Sequence, residues 1–126
     1  MTKRPKTRSA RALDWIQAYC VTPRGPERGK FVRLSEMERE TVRKIYDHPE
    51  GVQPLPVKGR LAAFLALLNV CGPEAIARDK QQRRPQCAID VFTVWASATP
   101  ALREVLKHEG EHIVCPELGT KFPATA

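Results

Sequence analysis

The chain has 126 residues and a formal net charge of +7, with 42% hydrophobic and 28% charged residues. That length supports one domain with a single core and excludes two full domains. The positive balance makes a polyanion the first partner to consider, although an acidic protein or a membrane surface would satisfy the same charge.

Eleven prolines favour short elements joined by rigid turns over a bundle of long helices. No secretory signal is legible, because Asp14 and Gln17 interrupt the apolar stretch that follows the basic N-terminus. No run approaches the roughly 18 apolar residues that span a bilayer. A cytoplasmic, reducing location without a membrane partner is therefore expected, with Cys20, Cys71, Cys87 and Cys115 as free thiols. They form no C-x-x-C pair, so their spacing gives no support to a zinc site.

Residues 1–8 carry Lys3, Arg4, Lys6 and Arg8 without an apolar partner and read as a basic, disordered arm. Ser9 then opens a helix with Ala12, Leu13, Ile16 and Tyr19 inward and Cys20 near its end. Residues 23–29 form a turn-rich loop, after which Phe31, Val32 and Leu34 return to the core. Ser35 starts a second helix, and Glu38 completes a capping box. Its inner face carries Met37, Thr41, Val42, Ile45 and Tyr46, and Glu40 stands one turn before Lys44 as an ion-pair partner.

Pro54 and Pro56 keep the next stretch extended. The longest apolar run follows, from Leu61 to Cys71, and Gly72-Pro73 stops it. Residues 78–84 hold Arg78, Lys80, Arg83 and Arg84 in a polar break. From Ala88 to Trp95, β-branched and aromatic residues favour a strand, with helix as the alternative. Thr99 caps a last helix with Pro100 at its first position and Leu102, Val105 and Leu106 inward. The domain layout is thus a basic arm (1–8), a helical core (9–78), a basic linker (79–86), a strand or helix plus a C-terminal helix (87–119) and a tail (120–126). The expected fold is a mainly α, small helical domain with at most one short strand or hairpin.

Two segments invite a chemical reading. His108-Glu109-Gly110-Glu111-His112 fits H-E-x-x-H, in which a helix sets two histidines one turn apart on zinc and the glutamate activates a water. Gly110 inside the motif and Glu111 beside it disfavour that helix. The bland reading is a charged, solvent-facing helix end. Lys58-Gly59-Arg60-Leu61 stands where a phosphate loop would need G-x-x-x-x-G-K-[ST]. Pro54 takes the place of the first glycine, Arg60 that of the lysine, and Leu61 removes the hydroxyl that would hold magnesium. Aromatic residues make up only 6% of the chain and are not interleaved with basic ones along it. Sequence therefore offers little sign of a stacking surface for single strands.

Four pieces occur in order between Arg11 and Ala75: A-L-D-W-I-Q-A-Y-C, V-T-P-R-G-P-E-R-G-K, a helix ending I-Y-D, and a helix ending L-L-N-V-C-G-P-E-A. This order resembles the N-terminal segment of phage terminase large subunits, the DNA-packaging motors. The resemblance implies that Gly59-Arg60-Leu61 falls on the Gly-Lys-Thr of an ATP-binding loop, in degenerate form. It also implies a phage or prophage origin.

The expected function is a non-catalytic accessory protein related to DNA packaging, without cofactor or metal. Its expected partners are duplex DNA or a phage packaging or capsid-assembly protein. Contact would be electrostatic, through Lys3, Arg4, Lys6, Arg8, Arg78, Lys80, Arg83 and Arg84. The alternatives are a small zinc-dependent hydrolase using His108, Glu109 and His112, and a protein–protein interaction module.

Overall fold

The helix at the centre of the molecule, α3 (Arg60–Cys71), is buried from Leu61 to Val70, with Phe64, Leu65, Leu67 and Leu68 fully enclosed. An apolar run without a polar face can be stable in water only if neighbours cover every side of it. The structure is a computed structural model that describes residues 7–75 and 84–122, and it supplies that cover from both chain directions. Two helices come from the N-terminal half, α1 (Arg8–Tyr19) and α2 (Glu36–Tyr46). They contribute Ala12, Leu13, Ile16, Val42, Ile45 and Tyr46 to the shared core. The C-terminal half adds Val91, Val94, Leu102, Leu106, Ile113 and Phe122.

Local chemistry accounts for the helix ends. Ser35 accepts from the Glu38 amide and Glu38 reaches back to the Ser35 amide, which is the capping box expected from sequence. α1 begins two residues earlier than Ser9 implied. Thr7 is its cap, while Ser9 sits buried inside the helix and binds the Asp47 carboxylate through both its amide and its hydroxyl. This contact fastens the start of α1 to the end of α2. Gly72 ends α3, and a Cβ there would stand 2.9 Å from the Leu68 carbonyl oxygen and 3.0 Å from the Trp15 ring. Glycine is thus required at that position by close approach.

The expectation of a mainly α domain with at most one short strand or hairpin is overturned by two sheets. β1 (Pro56–Val57) pairs in parallel with β2 (Gln86–Cys87), on the far side of α3 in sequence. β3 (Lys107–Glu109), β4 (His112–Cys115) and β5 (Thr120–Phe122) form an antiparallel sheet. The fold is therefore mixed α and β. The parallel pair is only two residues long on each side, too short to show a period-2 pattern, and its partners lie 30 residues apart in register.

The stretch favoured as a strand is instead helical. α4 (Val91–Ala96) starts at Asp90, whose carboxylate accepts from the Thr93 amide and hydroxyl. The aspartate cap thus prevails over the β-propensity of Val91, Phe92, Thr93 and Val94. α5 (Pro100–Val105) follows with proline at its first turn, and Leu102 and Leu106 are buried while Val105 is 40% exposed. Three inward assignments are also corrected: Met37 is 80% exposed, Phe31 65% and Tyr19 42%. On α2 the ion pairing runs from Arg43 to Glu36 and Glu40, rather than from Glu40 to Lys44. Thr120–Phe122, within the stretch read as a tail, is anchored to α3 because the Thr120 hydroxyl donates to the Val70 carbonyl.

Candidate functional site

β1, the turn at 58–59 and α3 form a strand–turn–helix unit, closed by the parallel return of the chain into β2. Gly59 makes the turn with φ near +70°, a conformation that favours glycine, and no side chain caps the helix start. Strand, turn and helix thus follow one another in the order a phosphate loop uses, but the side chains are directed elsewhere. The Arg60 guanidinium donates to both Glu38 oxygens, at 2.8 and 3.0 Å, and to the Arg33 carbonyl. It also lies over the Phe64 ring. Leu61 is buried and brings no hydroxyl.

Glu38 is consequently held from two sides. Burial pushes its carboxyl up, yet donation from Arg60 and from the Ser35 amide outweighs this and keeps it below the usual carboxylate range. The resulting stabilisation is present above the unfolded carboxylate range of about 4. It is lost as pH falls through the depressed native value. Arg60 is thereby a strut between α2 and α3.

Beside this unit lies a cavity of about 400 Å³ with apolar walls from Val57, Leu65, Val70 and Phe122. Lys58, Arg84 and Lys121 are among its lining residues. Of the predicted cationic contacts, Arg84 is therefore placed at this cavity. Lys3, Arg4, Lys6, Arg78, Lys80 and Arg83 lie outside the described residues. Arg8 is engaged in the fold. Its guanidinium makes a two-pronged contact with Glu74, at 2.5 and 2.7 Å, and that carboxylate is only 8% exposed. The glutamate of the G-P-E-A segment thus ties the end of α3 to the start of α1.

This pair yields a stability prediction. Breaking a fully buried ion pair costs about 3–5 kcal/mol, and the partial solvation of Arg8 lowers the figure for Arg8→Ala to about 2 kcal/mol. Denaturant unfolding of the variant measures it. A loss below about 0.5 kcal/mol would show that Glu74 does not need its partner.

The H-E-x-x-H segment does not form the helix that its metal reading requires. It spans β3, a turn at Gly110 with φ near +59°, and β4. In this hairpin Glu109 pairs with His112 and His108 with Ile113, so the two histidines fall on opposite faces. Among the described residues no cluster of three metal-ligating side chains occurs. The four cysteines are free, and burial pushes the Cys71 and Cys87 thiols up to about 12 and the Cys20 thiol further still. Protonated thiols of this kind are poor nucleophiles.

Sequence reasoning missed one cluster altogether. Phe92 and Trp95 stand three apart on α4, and the His108 ring sits 5.5 Å from each. The Arg103 guanidinium lies 5.3 Å over Trp95 and donates to the Trp95 carbonyl. Arg24 approaches α4 from the 23–29 loop and donates to the Thr93 hydroxyl at 2.8 Å. Phe92 is 70% exposed. Spacing along the chain hides the cluster, because its members come from four separate segments.

The chain resembles part of a known protein in both sequence and fold. The chain is 27% identical over 114 aligned positions to the terminase large subunit of Enterobacteria phage HK97, covering 79% of this chain and 22% of that protein. Its fold matches the crystal structure of the HK97 bacteriophage large terminase with a TM-score of 0.69 at 19% identity, over 96% of this chain and 28% of that one. The chain is similar to part of a phage terminase large subunit. No protein-family model matches it. The terminase likeness read from the four pieces between Arg11 and Ala75 is thus supported, and the similarity of fold covers nearly the whole chain. The chain spans only about a quarter of the terminase structure it matches. Among the described residues no helix is long and apolar enough to cross a membrane.

Proposed function

We propose that this chain is a non-catalytic accessory protein of phage or prophage type, related to DNA packaging, that binds duplex DNA electrostatically. The observation that carries the non-catalytic part is the state of Arg60. A phosphate-loop lysine must reach toward the terminal phosphates of a nucleotide, and the next residue must offer a hydroxyl to magnesium. Here the cation is spent on Glu38, and Leu61 is packed in the core. Freeing Arg60 would cost both a charge-assisted contact and the α2–α3 link.

Three features support the DNA part: the terminase likeness, the net charge of +7, and the concentration of cations at 3–8 and 78–84. Phosphate contact through Lys3, Arg4, Lys6, Arg78, Lys80, Arg83 and Arg84 needs no shaped pocket, since counterion release alone drives it. Arg8 contributes less in this reading because it is already paired. A packaging or capsid-assembly protein with an acidic face would meet the same cations.

A steady-state assay with ATP and magnesium tests the non-catalytic part. We expect no hydrolysis above buffer, with or without DNA. Magnesium-dependent turnover abolished by Arg60→Ala would contradict the assignment, because it would require Arg60 to leave Glu38 and act on the nucleotide.

A further inference from the structure

The cluster on α4 has the chemistry of a nucleic-acid stacking surface. Phe92 presents most of its ring to solvent, with 70% of the residue exposed. The ring is not a loose side chain. His108 meets it edge to face at 75°, and Trp95 backs His108 at a tilt of 37°, with ring centroids 5.5 Å apart in both pairs. Arg103 lies over the Trp95 ring. Phe92 is thus the outer member of a four-part stack on a capped helix and a sheet edge, so ordering it on binding costs little entropy.

The charges around the stack select the occupant. Arg103 is exposed and pinned to the Trp95 carbonyl, and Arg24 is pinned to Thr93, the residue after Phe92. Asp90 lies 3.7 Å from Arg24, and the exposed Glu104 and Glu109 follow Arg103 and His108 in sequence. A guanidinium carries five N–H donors, so each arginine keeps donors for a phosphate oxygen after its anchoring contact. An exposed π face on a helix that also anchors one guanidinium at Thr93 and another at Trp95 matches a base with its backbone phosphates. A hydrocarbon surface or a polyproline segment would use the ring but bring no phosphate oxygen to the donors that these anchoring contacts leave open.

We propose that Phe92, backed by His108 and the Trp95–Arg103 stack, binds an unpaired base of single-stranded nucleic acid, with Arg24 and Arg103 contacting the flanking phosphates. The surface would take a strand end or an opened segment, which the phosphate-directed cations of the duplex reading do not distinguish. The proposal rests on the nucleic-acid part of the proposed function and adds a second, base-contacting mode to it.

The test uses the full chain and two fluorescent probes of equal length, a thymidine oligonucleotide and a duplex, followed by anisotropy at fixed salt. Phe92→Ala is expected to weaken binding of the single strand by about tenfold, with duplex affinity unchanged. Phe92→Trp is expected to keep or raise it, since a larger face stacks at least as well. Because Phe92 is exposed, the alanine variant should fold, and its thermal melting is recorded alongside. Unchanged single-strand affinity in Phe92→Ala, with duplex binding intact, overturns this inference and leaves the duplex reading standing. Wild-type protein that binds neither probe overturns both. Equal losses for single strand and duplex also overturn it, since a base-stacking residue cannot act on paired bases.

Discussion

Replacing Phe64 by alanine is expected to destabilise the protein by about 3–5 kcal/mol, the largest effect we anticipate for a single side chain. Phe64 is fully buried on the helix that α1, α4, β2, β4 and β5 pack against, and the Arg60 guanidinium lies over its ring. The loss has two parts. Hydrophobic transfer of the ring is forfeited, and the cavity left behind cannot collapse because Leu65, Leu67 and Leu68 hold their positions on other neighbours. A domain of this size has roughly 5–15 kcal/mol of total stability, so the variant should sit near the edge of folding. Urea unfolding measures the change, and a loss below about 1 kcal/mol would show that α3 is not enclosed on all sides. Such a result would also remove the basis for reading the 57–75 segment as a core helix rather than as a nucleotide site.

The enclosure of α3 was legible from residues alone, since an apolar run from Leu61 to Val70 has no polar face to offer water. The Ser35–Glu38 box and the Thr99-Pro100 helix start were equally local and equally legible. What sequence could not supply was pairing at a distance. Pro56-Val57 finds Gln86-Cys87 only once α3 has turned the chain back, and two-residue strands flanked by prolines leave no periodic trace. The antiparallel sheet was hidden differently. His108 to His112 was read as helix because its spacing suits one, whereas Gly110 supplies the positive φ of a hairpin turn.

The candidate site follows the same division. Sequence showed that Arg60 and Leu61 depart from a phosphate loop, but it could not show that Arg60 is committed to Glu38 across 22 residues. For the aromatic cluster, the strand assignment itself was the obstacle. Residues three apart point to opposite faces of a strand and to the same face of a helix, so reading 88–95 as a strand separated Phe92 from Trp95. The aspartate cap at Asp90 was the available signal, and it needed more weight than the β-branched composition after it.

The second large effect concerns binding. If DNA is held by counterion release, log K falls with log salt at a slope of about −0.9 per neutralised phosphate on duplex DNA. With about six phosphates contacted, affinity should drop on the order of 10³-fold between 50 and 200 mM salt. The effect should be nearly independent of DNA sequence, because phosphate contacts carry no base information. Neutralising Arg83 and Arg84 together should flatten the slope by about two phosphates' worth and weaken binding at low salt. Arg8→Ala should change the slope little and stability more, since its guanidinium is engaged by Glu74.

An electrophoretic shift of duplex DNA by the full chain at two salt concentrations tests the central claim most directly. A clear shift at low salt that is lost at high salt is expected, with matched duplexes of different sequence behaving alike. Affinity that does not change with salt, or that survives removal of residues 1–8 together with the Arg83 and Arg84 charges, would contradict it.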